Sequence, residues 1–220
     1  PDLALRDAAV QLDARSSAAF DSFSGKAALS TGAARAAGQS LARLGGQGDF
    51  TLKGGNLTAS YKLSGNDLGG AVQAGTVTLD GMLRSRDSFA AIDAEGTIGG
   101  SQVQPGQALD ASLAQAQRSL GETLAAPLIG AIRQGLAREG RGSRLQAAYV
   151  LRRTGALTSL VVPRGTLRGT SGANVLAVSQ LQLALGGKRG PHISGNVVTG
   201  GAGLPRLTGR IERQPSGQVL

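Results

Sequence analysis

Cysteine is absent from this 220-residue chain, so it cannot build a disulfide framework, a thiolate zinc site or a cysteine nucleophile. Aromatic residues are nearly absent too, with four Phe, two Tyr and no Trp. Any interior must therefore be assembled from Ala, Val, Leu and Ile. The single histidine, His192, stands in Gly190-Pro191-His192-Ile193. Alone it completes neither a hydrolytic triad nor a metal site, and it reads as an ordinary strand or turn residue. No apolar run approaches the roughly 20 residues of a membrane-spanning helix. A polybasic run is missing as well. The net charge is +9, but the arginines are dispersed, with short pairs only at Arg152-Arg153 and Lys188-Arg189. With almost no aromatics between them, they indicate a solvated basic surface, and no nucleic acid is expected as a partner.

Acid–base chemistry finds little support. The 14 carboxylates stand mostly alone on polar stretches. Asp93 and Glu95 share a strand face, as acid–base pairs can, but Thr and Gly surround them and both read as solvated side chains. The glycine-rich stretch Gly195 to Gly203 lacks the Lys-Ser/Thr ending and the following helix of a phosphate loop, and reads as a turn. The sequence therefore assigns no catalytic residue, no metal ligand and no cofactor, and the chain is not expected to be an enzyme.

Glycine is what the chain has in excess: 35 of 220 residues, about twice the average usage of roughly 7%. Most of these glycines separate short runs in which apolar and polar residues alternate, the period of a half-buried strand. Asp49 to Lys53 alternates, Gly54-Gly55-Asn56 turns, and Leu57 to Leu63 alternates again. Ser64-Gly65-Asn66-Asp67 is the next turn signal, and Asp80-Gly81 reads as a two-residue hairpin. Thr31 to Leu44 is alanine-rich but broken by Gly38, and is taken as strand. Val175 to Leu185 is the longest run after the middle of the chain. Its alternation shifts near Val178 to Leu181, which suggests a bulge or a change of face. Strands about 8–12 residues apart with turn residues between them indicate an antiparallel meander. About a dozen strands are too many for a flat sheet, which must curl, close or split.

One segment breaks this rhythm. From Pro105 to Gly142, apolar residues recur in steps of three and four, which lays one apolar stripe along a helix. Asp110 is a plausible N-cap and Gly140-Arg141-Gly142 a stop. Pro127 removes a backbone donor and is expected to kink or split the helix. Leu113, Leu120, Leu124, Leu128 and Ile132 lie on the stripe expected to cover the sheet. The expected fold is mainly β: a curled antiparallel trough with one long amphipathic helix inserted mid-chain. Residues 1–104 form a first meander, 105–142 the helix and 143–220 a second meander. Together they are expected to be one fragment of a longer β-groove protein. Alternation puts Phe50, Leu52, Leu57, Tyr61, Leu63, Val77, Leu79, Leu181, Leu183 and Leu185 on the apolar side. One helix covers only part of such a surface, and what stays open is a dimer contact or a place for a greasy ligand.

Gly48-Asp49-Phe50-Thr51-Leu52, Leu167-Arg168-Gly169 and Leu207-Thr208-Gly209-Arg210-Ile211-Glu212 resemble the strand phrases of the large AsmA-like envelope proteins. Gly121-Glu122-Thr123-Leu124-Ala125-Ala126-Pro127-Leu128-Ile129 resembles a helix that interrupts the strands in the YdbH branch of that group. The resemblance implies a β-trough that crosses the periplasm from an inner-membrane anchor and conducts phospholipids toward the outer membrane. It implies phospholipids as cargo, with inner- and outer-membrane proteins of the envelope as candidate partners. The ten apolar residues above then line the groove. The competing expectation is a non-catalytic structural or adhesive β-solenoid or β-sandwich domain of a secreted or surface protein, which predicts regular coils and stacked polar ladders. An outer-membrane barrel would need aromatic girdles that this composition cannot supply.

Overall fold

The computed structural model describes residues 3–36, 38–121, 123, 125–186, 192–201 and 203–213. Their strands are β1 (Leu3–Arg6), β2 (Ala9–Ser16), β3 (Ser22–Thr31), β4 (Ala33–Ala36), β5 (Gln39–Leu41), β6 (Arg43–Lys53), β7 (Asn56–Leu68), β8 (Val72–Arg86), β9 (Ala91–Ser101) and β10 (Gln104–Pro105). Two helices follow, α1 (Gln107–Ser119) and α2 (Ala125–Gly140). The chain then returns to strands as β11 (Arg144–Thr154), β12 (Leu157–Arg168), β13 (Asn174–Leu185), β14 (His192–Thr199) and β15 (Leu207–Arg213).

A twelve-stranded sheet runs in the order β15-β14-β13-β12-β11-β9-β8-β7-β6-β3-β2, with β10 paired to β8 off this path. Every pairing among the described strands is antiparallel, and the sheet does not close on itself. A small sheet, β1-β4-β5, stands beside it and touches it through the bridge between Ser40 and Gly69. The two meanders are joined by direct pairing of β9 with β11, so the helices are an excursion from that hairpin. The neck of the excursion is tied at Ser143. Its hydroxyl donates to the Val103 carbonyl at 2.9 Å and accepts from the Val103 amide at 2.7 Å.

The single long helix expected from Pro105 to Gly142 is two helices, broken where Gly121 takes a φ of 51°. Pro127 is not at the break. It is the third residue of α2, in the first turn, where its missing N–H would be unpaired anyway. The N-cap of α1 is Gly106 rather than Asp110. Asp110 instead lies inside α1 and accepts two hydrogen bonds from the Arg133 guanidinium of α2, that from Nη2 at 2.7 Å. This pair clamps two helices of which α1 buries no residue. The bond from Arg133, with its positive charge, holds the Asp110 carboxyl below its usual range. A depressed carboxylate stabilises the fold above its unfolded value and loses that contribution as pH falls through the folded one. The protection of α1 amides against hydrogen exchange, taken relative to the intrinsic rate at each pH, is therefore expected to hold down to about pH 4 and to fall below it. Asp110→Asn should bring the lower protection to neutral pH, with the sheet unchanged.

Neither helix runs along the sheet. Leu136 of α2 packs on a small core of Ala74, Val103, Leu167, Val175 and Leu204, with Leu68, Val77, Leu145 and Leu176 around it. These positions gather the end of β7, the starts of β8, β11 and β13 and the end of β12, so the cover sits at one end of the strands. Glu139 fastens the end of α2 to the β12–β13 turn by accepting from the Ser171 amide (3.1 Å) and hydroxyl (3.0 Å), which hold its carboxyl below the usual range.

Candidate functional site

Strand register resolves the sheet into two chemically distinct faces. The pairs Leu52↔Leu57, Leu57↔Ser85, Leu63↔Leu79, Leu79↔Ile98 and Val77↔Gly100 place the first-half apolar residues on one face. From β9 the same face continues through Ala94↔Leu151, Leu151↔Leu160 and Leu160↔Leu183 to Leu183↔Ile193. Near the middle of β13 the register shifts between Ser179 and Gln182, with Gln180 at a φ of 52°. That is the bulge expected from the alternation, and it brings Val178 and Leu181 to one side although they are three residues apart. Phe50, Leu52, Leu57, Tyr61, Leu63, Val77, Leu79, Leu181, Leu183 and Leu185 thus all share one face. All are half-buried except Leu185, which is exposed.

Of the stripe expected to cover the sheet, Leu113, Leu120 and Ile132 are half-buried and Leu128 is 38% exposed. Leu124 lies outside the described residues. The stripe meets the sheet only near the end that holds the core, so most of the apolar face is left without a cover. The chain as a whole exposes 14049 Å², whereas a compact protein of 22.1 kDa exposes about 9,300 Å². On the edge strand β2, Val10 and Leu12 are 65% and 64% exposed. Beside them the face holds a hollow of about 200 Å³ walled by Val10, Ala27, Leu29, Phe50, Ala59, Tyr61 and Leu63.

The opposite face carries the charge. Asp13↔Lys26↔Asp49 and Arg84↔Asp93↔Arg152 alternate in sign from strand to strand. Asp93, weighed above as half of an acid–base pair, accepts from Arg86 at 2.8 Å and faces Arg152 at 3.8 Å, so it is an ion-paired carboxylate. This face has larger hollows, of about 630 and 450 Å³, lined by such residues as Lys26, Asp49, Lys62 and Asp80 in one and Arg84, Asp93 and Arg152 in the other. Size alone would favour them, but their walls are hydrated ions, and an apolar ligand gains nothing by displacing that water. Among the described residues no three His, Cys, Asp or Glu are placed to hold a metal ion. Among the described residues no helix is long and apolar enough to cross a membrane, which says nothing of strands.

Sequence reasoning missed a feature at the middle of the apolar face. Tyr61 of β7 and Tyr149 of β11 reach toward each other over Gly81 of β8 and Gly96 of β9, and their hydroxyls are hydrogen-bonded. A Cβ on Gly81 would stand 2.8 Å from the Tyr61 hydroxyl and 3.0 Å from that of Tyr149. Asp80-Gly81, read above as a hairpin, is therefore mid-strand, and its glycine is there so that two rings can pass over it. Burial, first, and the bond to Tyr61 push the Tyr149 hydroxyl well above the usual tyrosine value, so it stays neutral. The alternation of Leu145, Ala147, Tyr149 and Leu151 could have placed Tyr149 on this face from the sequence.

No curated protein and no solved structure gives a significant match to the chain. A protein family does. Residues 2–219, nearly the whole chain, match the family described as YdbH-like, intermembrane phospholipid transport protein, which is a transport family and not a class of enzyme. An open antiparallel sheet with one uncovered apolar face is what such cargo calls for, and the chain belongs to the YdbH-like family of intermembrane phospholipid transport proteins.

Proposed function

We propose that this chain is a stretch of an apolar β-groove along which phospholipids move between the two membranes of a bacterial envelope. The observation that carries the reading is the uncovered apolar face, continuous by register from β2 to β14. Acyl chains laid against it leave water at about 25 cal/mol per Å² of apolar surface buried, without any reacting group. Leu52, Leu63, Leu79 and Leu183 and the apolar residues in register with them line the path. The glycines at the centre of the sheet support a curled shape. At Gly48, Gly81 and Gly96 a Cβ would fall 1.9–2.2 Å from a neighbouring strand's carbonyl oxygen, so these strands approach as only glycine allows. A crease along that row turns the apolar sides toward one another. The α1–α2 pair then stands at one margin of the groove. Envelope placement, an inner-membrane anchor and membrane-protein partners at either end belong to the same proposal.

All-antiparallel pairing removes the stacked coils of a β-solenoid, and a β-sandwich would need a second sheet across the apolar face, whereas the short β1-β4-β5 sheet reaches it only with Leu41 beside Gly65. Gentle purification followed by lipid mass spectrometry should find phospholipid bound to the protein. A photocrosslinker at Leu183 should capture it, and one at the neighbouring exposed Gln182 should not. Lipid-free protein together with equal labelling from both positions would refute the groove.

A further inference from the structure

The two tyrosines put a polar group at the middle of a face that otherwise has almost none. Three strand spacings separate β7 from β11, about 14 Å, and the rings span that distance only by lying flat over Gly81 and Gly96. Tyr149 is 6% exposed, whereas Tyr61 is half-buried and forms part of the wall of the apolar hollow. Each phenol carries one proton and two lone pairs. Either hydroxyl can donate in this bond, and the arrangement that leaves no buried proton unpaired has Tyr149 donating and Tyr61 accepting. The Tyr61 proton is then spare, since no other protein group among the described residues accepts it, and the hydroxyl that holds it lies over Gly81 at the middle of the apolar face.

The surroundings select the acceptor. On the same face the nearest residues by register are Ala59, Leu63, Leu79, Leu83, Ile98 and Leu151. None is cationic; Lys62, Arg84 and Arg152 point to the opposite face. A phosphate brought here would be a desolvated anion without a counter-charge. A neutral carbonyl needs none.

We propose that Tyr61, held by Tyr149, is a binding site for the acyl-ester carbonyl of a diacyl lipid, a polar rung at which passing cargo pauses with its chains on the leucines either side. This rests on the groove reading above. It adds to that reading a preference for ester-linked over ether-linked lipid, because an ether oxygen is a weaker acceptor and is displaced from the carbonyl position.

The test compares vesicles of dioleoyl phosphatidylglycerol with vesicles of its dioleyl ether analogue, which has the same headgroup and chain length. Lipid retained by the protein after gel filtration is counted. The unaltered chain should retain about five times more diester than diether, the worth of one neutral hydrogen bond. Tyr61→Phe should lose that preference, its diester retention falling to the level of its diether retention. Tyr61→Phe/Tyr149→Phe removes both partners of the bond without changing ring shape, and should behave the same way. Equal retention of the two lipids by the unaltered chain overturns the site and leaves the groove standing. So does a Tyr61→Phe variant that still prefers diester, or one that loses both lipids alike. Retention of neither lipid by any variant overturns the groove and the site together.

Discussion

Gly96→Ala should lower the melting midpoint by roughly 5–10 °C, and Gly209→Ala should leave it where it was or raise it slightly. A Cβ at Gly96 would sit 1.9 Å from the Asp80 carbonyl oxygen and 2.8 Å from the Gly81 Cα. Both atoms are backbone, so no side chain can swing aside, and β8 or β9 must move as a whole. Forced overpacking of this kind costs about 1–3 kcal/mol, sometimes more, and each kcal/mol shifts the midpoint of a chain this size by about 2–4 °C. At Gly209, on β15, nothing stands within 4 Å of the same added atom. There alanine removes conformational freedom from the unfolded chain and should be neutral or mildly stabilising. Thermal melts of the two variants decide the matter, and a Gly96→Ala protein as stable as Gly209→Ala would mean that the central strands do not approach this closely.

Leu79→Asp should reduce co-purified phospholipid by more than tenfold, whereas Thr78→Asp, one residue away, should not change it. Leu79 sits on the apolar face between Leu63 and Ile98, and Thr78 is exposed on the charged one. An ionised carboxylate among leucines keeps its water, and an acyl chain can cover it only by stripping that water at several kcal/mol. Each 1.4 kcal/mol is a factor of ten in binding. Val10→Asp repeats the experiment on an edge strand where the side chain is 65% exposed, so a loss of lipid there cannot be blamed on unfolding. Organic extraction with mass spectrometry, normalised to folded protein by circular dichroism, gives the ratio. Equal loss from Leu79→Asp and Thr78→Asp would show that lipid does not distinguish the faces.

How much of this was legible in the sequence depended on period. Alternation is a local signal, and it marked Leu57, Tyr61 and Leu63 as companions without knowledge of their partners. It also found the bulge in β13, because a skipped beat in the pattern is itself visible. Glycine was the ambiguous letter. At Gly54-Gly55 it made a turn, with φ of 54° and 76°, as the sequence suggested. At Gly65 and Gly81 the same residue lies within long strands, because what it accommodates is a neighbouring strand or side chain, which is distant in sequence. The helical period located the segment that holds both helices, but the break at Gly121 and the packing at one end of the sheet depend on tertiary contacts that a periodicity does not encode. The Tyr61–Tyr149 bond joins residues 88 positions apart and is invisible until the register of four strands is known.

From β2 to β15 the strands of the large sheet are laid down in the order in which they occur along the chain, each against a strand already near it in sequence. Such a molecule has no centre on which everything depends. Its stability is a sum of neighbour terms, much as in a stack of repeats, and ordering can begin at one hairpin and advance outward as more polypeptide arrives. Damage should accordingly stay local: an altered β14 loosens its own margin while β7 and β8 remain paired. A protein assembled in this additive manner can lengthen by gaining hairpins without redesign of those already present.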